Sequence, residues 1–151
     1  YSLKILHQLH WSDCSSIEIL ATDANEMCLE RAQAGIYKKS SLHELGATMR
    51  STCFDVSVNP GEFIIKQKFK NGIAWKHHDF FSALPDRDFH IVFLRNNLLT
   101  YHSPGVQAIV LGRILQSMVP GGFLVIGCHE KLPTQDLNLK STSSDMIYQL
   151  L

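Results

Sequence analysis

Four groups of polar residues come directly after short apolar or strand-like stretches of this 151-residue sequence. They are Asp23, Asp79, Arg95 with Asn96, and residues 128–130 (Cys-His-Glu). A carboxylate such as that of Asp23 can accept hydrogen bonds from two neighbouring hydroxyl groups, while Arg and Asn side chains suit the charged and polar parts of a ligand. If the preceding stretches are parallel strands, all four groups lie at the edge of the sheet where ligands bind.

Three apolar runs of strand length lead up to these polar groups. They span residues 17–22, 89–94 and 123–127, and residues 146–151 form a weaker final run. The first three are apolar at nearly every position instead of at alternate ones, which is typical of strands buried on both faces of a parallel sheet.

Segments with helical spacing alternate with these runs. They cover residues 1–9, 25–34, 41–50 and 104–118. Gly35 stands where a C-terminal glycine ends a helix, Ser41 and Glu44 have the spacing of a capping box, and Pro104 suits a first helical turn. Alternating strands and helices predict an α/β fold, with a mostly parallel sheet and helices on both of its faces.

One stretch interrupts this alternation. Residues 59–61 (Asn-Pro-Gly) form a turn, residues 62–69 are strand-like, and Asn71 with Gly72 is a hairpin signal before the strand-like residues 73–77. We predict a small antiparallel β-hairpin subdomain inserted at about residues 53–78.

Composition argues against several classes of function. Fourteen basic residues balance fourteen acidic ones, so the charge points neither to nucleic acid nor to a membrane surface. No apolar run approaches the roughly 18–20 residues of a membrane span. The four cysteines have no C-x-x-C spacing, which predicts reduced thiols and a cytoplasmic protein. No metal site is predicted, because the adjacent His77 and His78 point to opposite faces of a strand.

Several segments, taken in chain order, carry a family resemblance. They are Ile-Leu-Ala-Thr-Asp-Ala-Asn at 19–25, Leu-Glu-Arg-Ala at 29–32, Ala-Gly-Ile-Tyr at 34–37, Phe-Leu-Arg-Asn-Asn-Leu-Leu at 93–99, and Val-Pro-Gly-Gly-Phe-Leu at 119–124. In these segments the chain resembles chemotaxis-receptor methyltransferases of the CheR type, and the resemblance extends over nearly its whole length.

The resemblance implies a Rossmann-like, class I methyltransferase fold that includes the antiparallel insertion, with residues 1–151 as part of the catalytic domain. It also implies S-adenosylmethionine as cofactor, S-adenosylhomocysteine as product, and methyl esterification of glutamate side chains on a receptor. Two alternatives stay open, namely an enzyme of the same fold with another methyl acceptor, and a degenerate binding module without turnover.

Cofactor contacts follow from the resemblance residue by residue. Asp23 matches the acidic residue that binds the ribose, although an Asp at a strand end can instead cap the next helix. Asp79 and Phe80 match positions at the adenine edge. Arg95 and Asn96 match positions near the cofactor, with hydrogen bonding to loop backbone as the alternative.

The chain departs from the family pattern near the expected methyl group. Thr100 stands where the family usually has a tyrosine, and Tyr101 is one residue off. Together with Arg95 these two are candidates for catalytic residues. Cys128-His129 replaces the usual His-Ser before Glu130. A glutamate acceptor is already ionised, so the reaction needs positioning more than it needs a base.

The resemblance also concerns partners and the start of the chain. In some members the antiparallel subdomain binds a receptor tail as an extra strand, so we expect a peptide to pair along Phe63–Phe69, although the apolar residues of this segment do not all lie on one face. The alternative is an insertion that binds no partner. No oligomeric state is indicated. The family's glycine-rich loop, and a central strand between residues 17–22 and 89–94, have no counterpart after Tyr1. We therefore expect these 151 residues alone to bind S-adenosylmethionine poorly.

Overall fold

The structure, a computed structural model, describes residues 1–11, 17–82, 88–133 and 137–151. Contacts between residues divide the chain into two units, Tyr1–His78 and Asp79–Leu151. The elements of the first unit are α1 (Ser2–His10), β1 (Ile19–Asp23), α2 (Glu26–Ala34), β2 (Ile36–Lys38), a 3₁₀ helix (Lys39–Leu42), α3 (Ala47–Cys53), β3 (Phe54–Val56), β4 (Glu62–Ile65), α4 (Gln67–Lys70) and β5 (Ile73–His77).

Strand β1 pairs with β5 in parallel, from Ile19 opposite Ile73 to Asp23 opposite His77. The prediction that residues 73–77 form the second strand of a hairpin is therefore wrong. Helix α4 intervenes between β4 and β5, and Gly72 then takes up a left-handed conformation with φ of 78°. The Asn71-Gly72 pair ends that helix and leads into a parallel strand, a role that short-range spacing does not distinguish from a hairpin turn.

The antiparallel subdomain is a three-stranded sheet in the order β2-β4-β3. Strand β4 ends at Ile65, and Phe69 is fully buried in α4, so the predicted strand 62–69 is too long. Because β4 has a partner on each side, its residues 62–65 are not an edge, and the expected peptide pairing along Phe63–Phe69 is wrong in position. The edges of this sheet are β2 and β3.

The subdomain has its own hydrophobic core, whose members come from the 3₁₀ helix, α3, β3, β4 and α4. These buried residues are Leu42, Cys53, Phe54, Ile65 and Phe69. Tyr1 and Ile5 of the N-terminal segment pack against this core. The helix predicted at residues 1–9 is confirmed as α1.

Two of the predicted helices of this unit have different outcomes. The helix predicted at 25–34 is confirmed as α2, with Asn25 as N-cap and Gly35 in a left-handed conformation at its end. The helix predicted at 41–50 is instead the 3₁₀ helix followed by α3, which begins after Gly46. Ser41 lies inside the 3₁₀ helix and makes no capping hydrogen bond there, so the capping box is not formed.

The second unit contains β6 (Phe89–Leu94), α5 (Leu98–Tyr101), α6 (Pro104–Gln116), β7 (Met118–Ile126), β8 (Leu139–Ser141) and β9 (Ile147–Leu150). Its sheet has the order β6-β7-β9-β8, with β6 and β7 parallel and β9 antiparallel to both of its neighbours. The strands predicted at 89–94, 123–127 and 146–151 are confirmed. Strand β7 starts earlier than predicted and runs through Pro120, with a register shift against β6.

One face of this second sheet forms the core of the unit. Leu94, Leu124 and Ile126 are buried there against residues of α5 and α6. The neighbouring positions point to the other face, where Ile91 is 52% and Phe93 is 45% exposed. None of the described helices is long and apolar enough to cross a membrane. Cys28, Cys53 and Cys128 are free thiols, and Cys14 lies outside the described residues.

Candidate functional site

Asp23 ends β1 with its side chain exposed to solvent. Its Oδ1 accepts a hydrogen bond of 2.8 Å from the backbone N–H of Asn25. The cap of α2 is Asn25, whose Oδ1 accepts from Met27 N at 3.0 Å and from Cys28 N at 3.4 Å. Asn25, and not Asp23, therefore caps α2. The Asp23 carboxylate is oriented by the turn and remains accessible to a ligand.

The turn after β1 is also attached to the end of β5. The backbone N–H of His78 donates to the carbonyl oxygen of Asp23 at 3.0 Å. The His77 Nε2 lies 2.9 Å from the carbonyl oxygen of Ala24. Both contacts join residues that are more than fifty positions apart in the sequence, so the geometry of the Asp23 turn depends on a correctly paired β5.

In the second unit, Glu130 links the segments that follow β6 and β7. Its Oε1 accepts a hydrogen bond of 2.6 Å from the Thr100 hydroxyl, and its Oε2 accepts one of 2.7 Å from the Gly127 N–H. Burial alone would raise the pKa of Glu130. The hydrogen bonds from Thr100 and from the backbone of Gly127, Asn96 and Asn97 outweigh that effect and hold the pKa below its ordinary value.

The segment after β6 has an unusual backbone at this point. Asn96 has φ of 55°, a left-handed conformation that Asn tolerates better than most residues. Asn97 caps α5 through a 2.6 Å hydrogen bond from Leu98 N to its Oδ1. A Cβ atom added to Gly127 would lie 2.6 Å from Glu130 Oε2 and 3.1 Å from Asn96 Oδ1. The structure therefore brings Asn96, Thr100 and Glu130 together around a glycine.

Asp79 and Phe80 begin the second unit in a turn. Asp79 Oδ1 accepts from Phe81 N at 2.9 Å, and its carbonyl oxygen accepts from the Ser82 hydroxyl at 2.6 Å. The Phe80 ring is partly buried against the core of this unit, with its centroid 6.3 Å from that of His102. Part of the role of Phe80 is thus to hold the turn in place.

Arg95 and Tyr101 differ from their neighbours in exposure. Arg95 is exposed directly after β6, and the Tyr101 side chain is 75% exposed at the end of α5. Thr100, the other catalytic candidate, donates its hydroxyl proton to Glu130. Of the three, only Thr100 belongs to the Glu130 network, and its contact there is structural.

Two site features have no clear signal in the sequence. Glu130 stands out as a polar residue after an apolar run, but its donors Thr100 and Gly127 come from two segments that are about thirty residues apart. The His77 contact with Ala24 requires the parallel pairing of β1 with β5, which the hairpin interpretation excludes.

Comparison with known proteins identifies the family. Residues 1–148 match the family model of the CheR methyltransferase, SAM-binding domain. The chain belongs to the CheR methyltransferase family. A chemotaxis protein methyltransferase of Vibrio parahaemolyticus is 30% identical over 139 residues, which cover 89% of this chain and 50% of the relative. Chemotaxis protein methyltransferase 1 of Vibrio cholerae is 29% identical over 140 residues, with the same coverage. The CheR-family chain thus spans about half the length of the curated relatives it matches.

A solved structure supports the fold. A variant of LepI in complex with S-adenosylhomocysteine (SAH) and a substrate analogue matches the whole CheR-family chain, and 40% of its own, with a TM-score of 0.55 and 14% sequence identity. At that identity the match concerns the fold alone. It confirms the predicted α/β class.

Proposed function

We propose that the protein is an S-adenosylmethionine-dependent methyltransferase that esterifies glutamate side chains of a chemotaxis receptor. Its membership of the CheR family supports this proposal, as do the names of the Vibrio relatives. A cytoplasmic location is part of the proposal and rests on the spacing of the cysteines.

The observation that carries the proposal is the arrangement of Asp23. An ionised carboxylate only accepts hydrogen bonds, and the ribose of the cofactor offers two adjacent hydroxyl donors. Asp23 is exposed at the carboxyl end of a parallel strand, and its Oδ1 is oriented by the Asn25 N–H. The residues of this turn therefore fit the cofactor, and we assign the ribose to Asp23.

Other contacts to the cofactor are assigned to residues of the second unit. Asp79 and Phe80 are proposed at the adenine edge, in a turn where Asp79 Oδ1 accepts from the Phe81 N–H and the centroids of the Phe80 and Phe81 rings lie 5.1 Å apart. Arg95 and Asn96 are proposed near the cofactor because they follow β6 at the end of a parallel strand. The left-handed backbone of Asn96 is a local distortion of the kind that is concentrated at functional sites.

The bound cofactor supplies a methyl group on a positively charged sulfur. The acceptor glutamate is ionised at neutral pH, so the protein needs no general base and contributes mainly by alignment. Thr100 is an unsuitable base in any case, because its hydroxyl donates to Glu130. Tyr101 is exposed and is proposed to contact the acceptor instead of removing a proton.

The partner is proposed to be a receptor tail that adds as a strand to the antiparallel subdomain. Strand β3 is an edge, and Val56 on it is 78% exposed. An open groove of about 620 Å³ lies beside it, lined among others by Arg50, Val56 and Phe63. The Arg50 guanidinium lies 5.5 Å from the centre of the Phe63 ring, which places a positive charge beside an aromatic surface.

Asp23→Ala tests the cofactor assignment. In the full-length protein we expect this change to weaken the binding of S-adenosylhomocysteine by about 2–3 kcal/mol, because a charge-assisted hydrogen bond to the ribose is lost. Isothermal titration calorimetry measures the affinity. Asp145→Ala removes an exposed carboxylate elsewhere and is the matched control. An affinity of the Asp23 variant within twofold of the wild type would overturn the assignment.

A further inference from the structure

Four contacts fix the turn that carries Asp23, and one of them comes from a side chain of another strand. His77 is the last residue of β5 and lies opposite Asp23 in the parallel register. Its Nε2 is 2.9 Å from the carbonyl oxygen of Ala24. The other three contacts are the His78 N–H on the Asp23 carbonyl, the Asn25 N–H on Asp23 Oδ1, and the Asn25 cap of α2.

The contact between His77 Nε2 and the Ala24 carbonyl oxygen determines which ring nitrogen carries a hydrogen. A carbonyl oxygen can only accept, so Nε2 must carry the hydrogen in this contact. This condition is met by the imidazolium and by the neutral ring protonated on Nε2. The bond is therefore made in either charge state of the ring, with Nε2 as donor.

Ala24 connects His77 with the Asp23 carboxylate through a single peptide group. The carbonyl of Ala24 and the N–H of Asn25 belong to the same planar amide. The carbonyl end accepts from His77, and the N–H end donates to Asp23 Oδ1 at 2.8 Å. Since the plane is rigid, fixing the carbonyl end also fixes the direction of the N–H that orients the carboxylate.

We propose that His77 is a positioning residue for the recognition of the cofactor ribose. It does not touch the ligand, and it acts by holding the Ala24–Asn25 peptide so that the Asp23 carboxylate faces the two ribose hydroxyls. This inference rests on the proposed function of Asp23 and adds to it a residue from β5, a strand that the sequence pattern assigns to a different substructure.

The test compares two substitutions in the full-length protein. His77→Phe keeps a planar ring without a donor, and His77→Gln offers a side-chain N–H at a similar reach. The probes are S-adenosylhomocysteine and its 2′,3′-dideoxy analogue, with affinities from calorimetry and folding checked by thermal unfolding. We expect His77→Phe to bind S-adenosylhomocysteine about three- to tenfold more weakly, the range for one hydrogen bond, and His77→Gln to bind it within twofold of the wild type. The dideoxy analogue should bind the wild type and His77→Phe equally.

Three results would overturn the positioning role of His77. The first is that His77→Phe binds S-adenosylhomocysteine as the wild type does, and the second is that His77→Gln fails to recover binding. The third is that His77→Phe loses equal affinity for S-adenosylhomocysteine and for the dideoxy analogue, which would indicate a general structural effect. Asp23→Ala separates the role of His77 from that of Asp23. If it binds S-adenosylhomocysteine like the wild type, the ribose assignment itself fails. If it binds weakly while His77→Phe is unaffected, only the role of His77 fails.

Discussion

Glu130 joins the segments that follow β6 and β7 in the second unit. Its carboxylate accepts hydrogen bonds from the Thr100 hydroxyl and the Gly127 N–H, and the backbone of Asn96 and Asn97 also lowers its pKa. A carboxylate in this position can satisfy several donors at once, whereas an amide side chain has one acceptor oxygen and an N–H₂ group that cannot accept. The negative charge of Glu130 is therefore part of the local fold.

The pH dependence of stability should report this charge. Because the pKa of Glu130 in the folded state lies below its ordinary value of 4.5, its contribution to stability is fully present above that pH and is lost as the pH falls through the lower folded-state pKa. We expect Glu130→Gln to reduce the free energy of unfolding by about 1–2 kcal/mol at neutral pH. The difference from the wild type should shrink as the pH falls below 4.5.

Urea unfolding over this pH range measures the effect. Glu30→Gln, at an exposed position of α2, controls for the loss of one carboxylate. A stability difference between the wild type and the Glu130→Gln variant that stays constant from neutral to acid pH would contradict the role given to the Glu130 charge.

At the scale of elements, the edge strand β3 has backbone N–H and carbonyl groups that could pair with a partner strand. Ser57 N donates to Glu62 O and Lys66 N donates to Cys53 O. Hydrogen-bonded and non-bonded pairs alternate in antiparallel sheets, so the backbone groups of Asp55 face β4. The N–H and carbonyl of Val56 consequently face away from β4, towards the place where an added strand would pair.

Amide hydrogen exchange tests this edge directly. On adding a receptor-tail peptide to the full-length protein, we expect the exchange of the Val56 amide to slow by about tenfold or more, because it gains a hydrogen bond. The Asp55 amide already faces β4 and serves as the internal control. Slowing at Lys38, on the outer side of β2, with none at Val56 would show that the peptide pairs at the opposite edge.

At the scale of the whole molecule, the sequence predicts secondary structure best where the pattern that indicates it spans only a few residues. The strand 89–94, the helix ended by Gly35 and the helix begun by Pro104 are all observed, because apolar runs and capping residues act within a few positions. Asp23 at a strand end also follows from the pattern. The family resemblance agrees with these local signals.

The sequence predicts poorly where a strand chooses a distant partner. Residues 73–77 are strand-like in either interpretation, and the adjacent Asn71-Gly72 favours a hairpin locally. Their pairing with β1 depends on packing between segments about fifty residues apart, which no local spacing encodes. The Glu130 network and the His77 contact are missed for the same reason, since each needs the strands to be placed first.

The proposed reaction belongs to the full-length protein. With S-adenosylmethionine labelled on its methyl group and membranes that contain a chemotaxis receptor, we expect label on the receptor that alkali releases, because methyl esters are hydrolysed by base. Receptor variants without the acceptor glutamates are the control and should stay unlabelled. Alkali-labile label on a different protein would indicate another acceptor. Absence of transfer despite intact S-adenosylhomocysteine binding would indicate a binding module.

The contact between Gly127 and Glu130 also has an evolutionary consequence. A side chain at position 127 would occupy the space of the Glu130 carboxylate and of the Asn96 amide. A side chain at position 127 therefore requires the Glu130 carboxylate to move. A replacement of the glycine would redirect the Glu130 side chain, and the hydrogen bond from Thr100 would be lost with that movement. In related sequences we therefore expect a residue other than glycine at position 127 to be accompanied by a change at position 130.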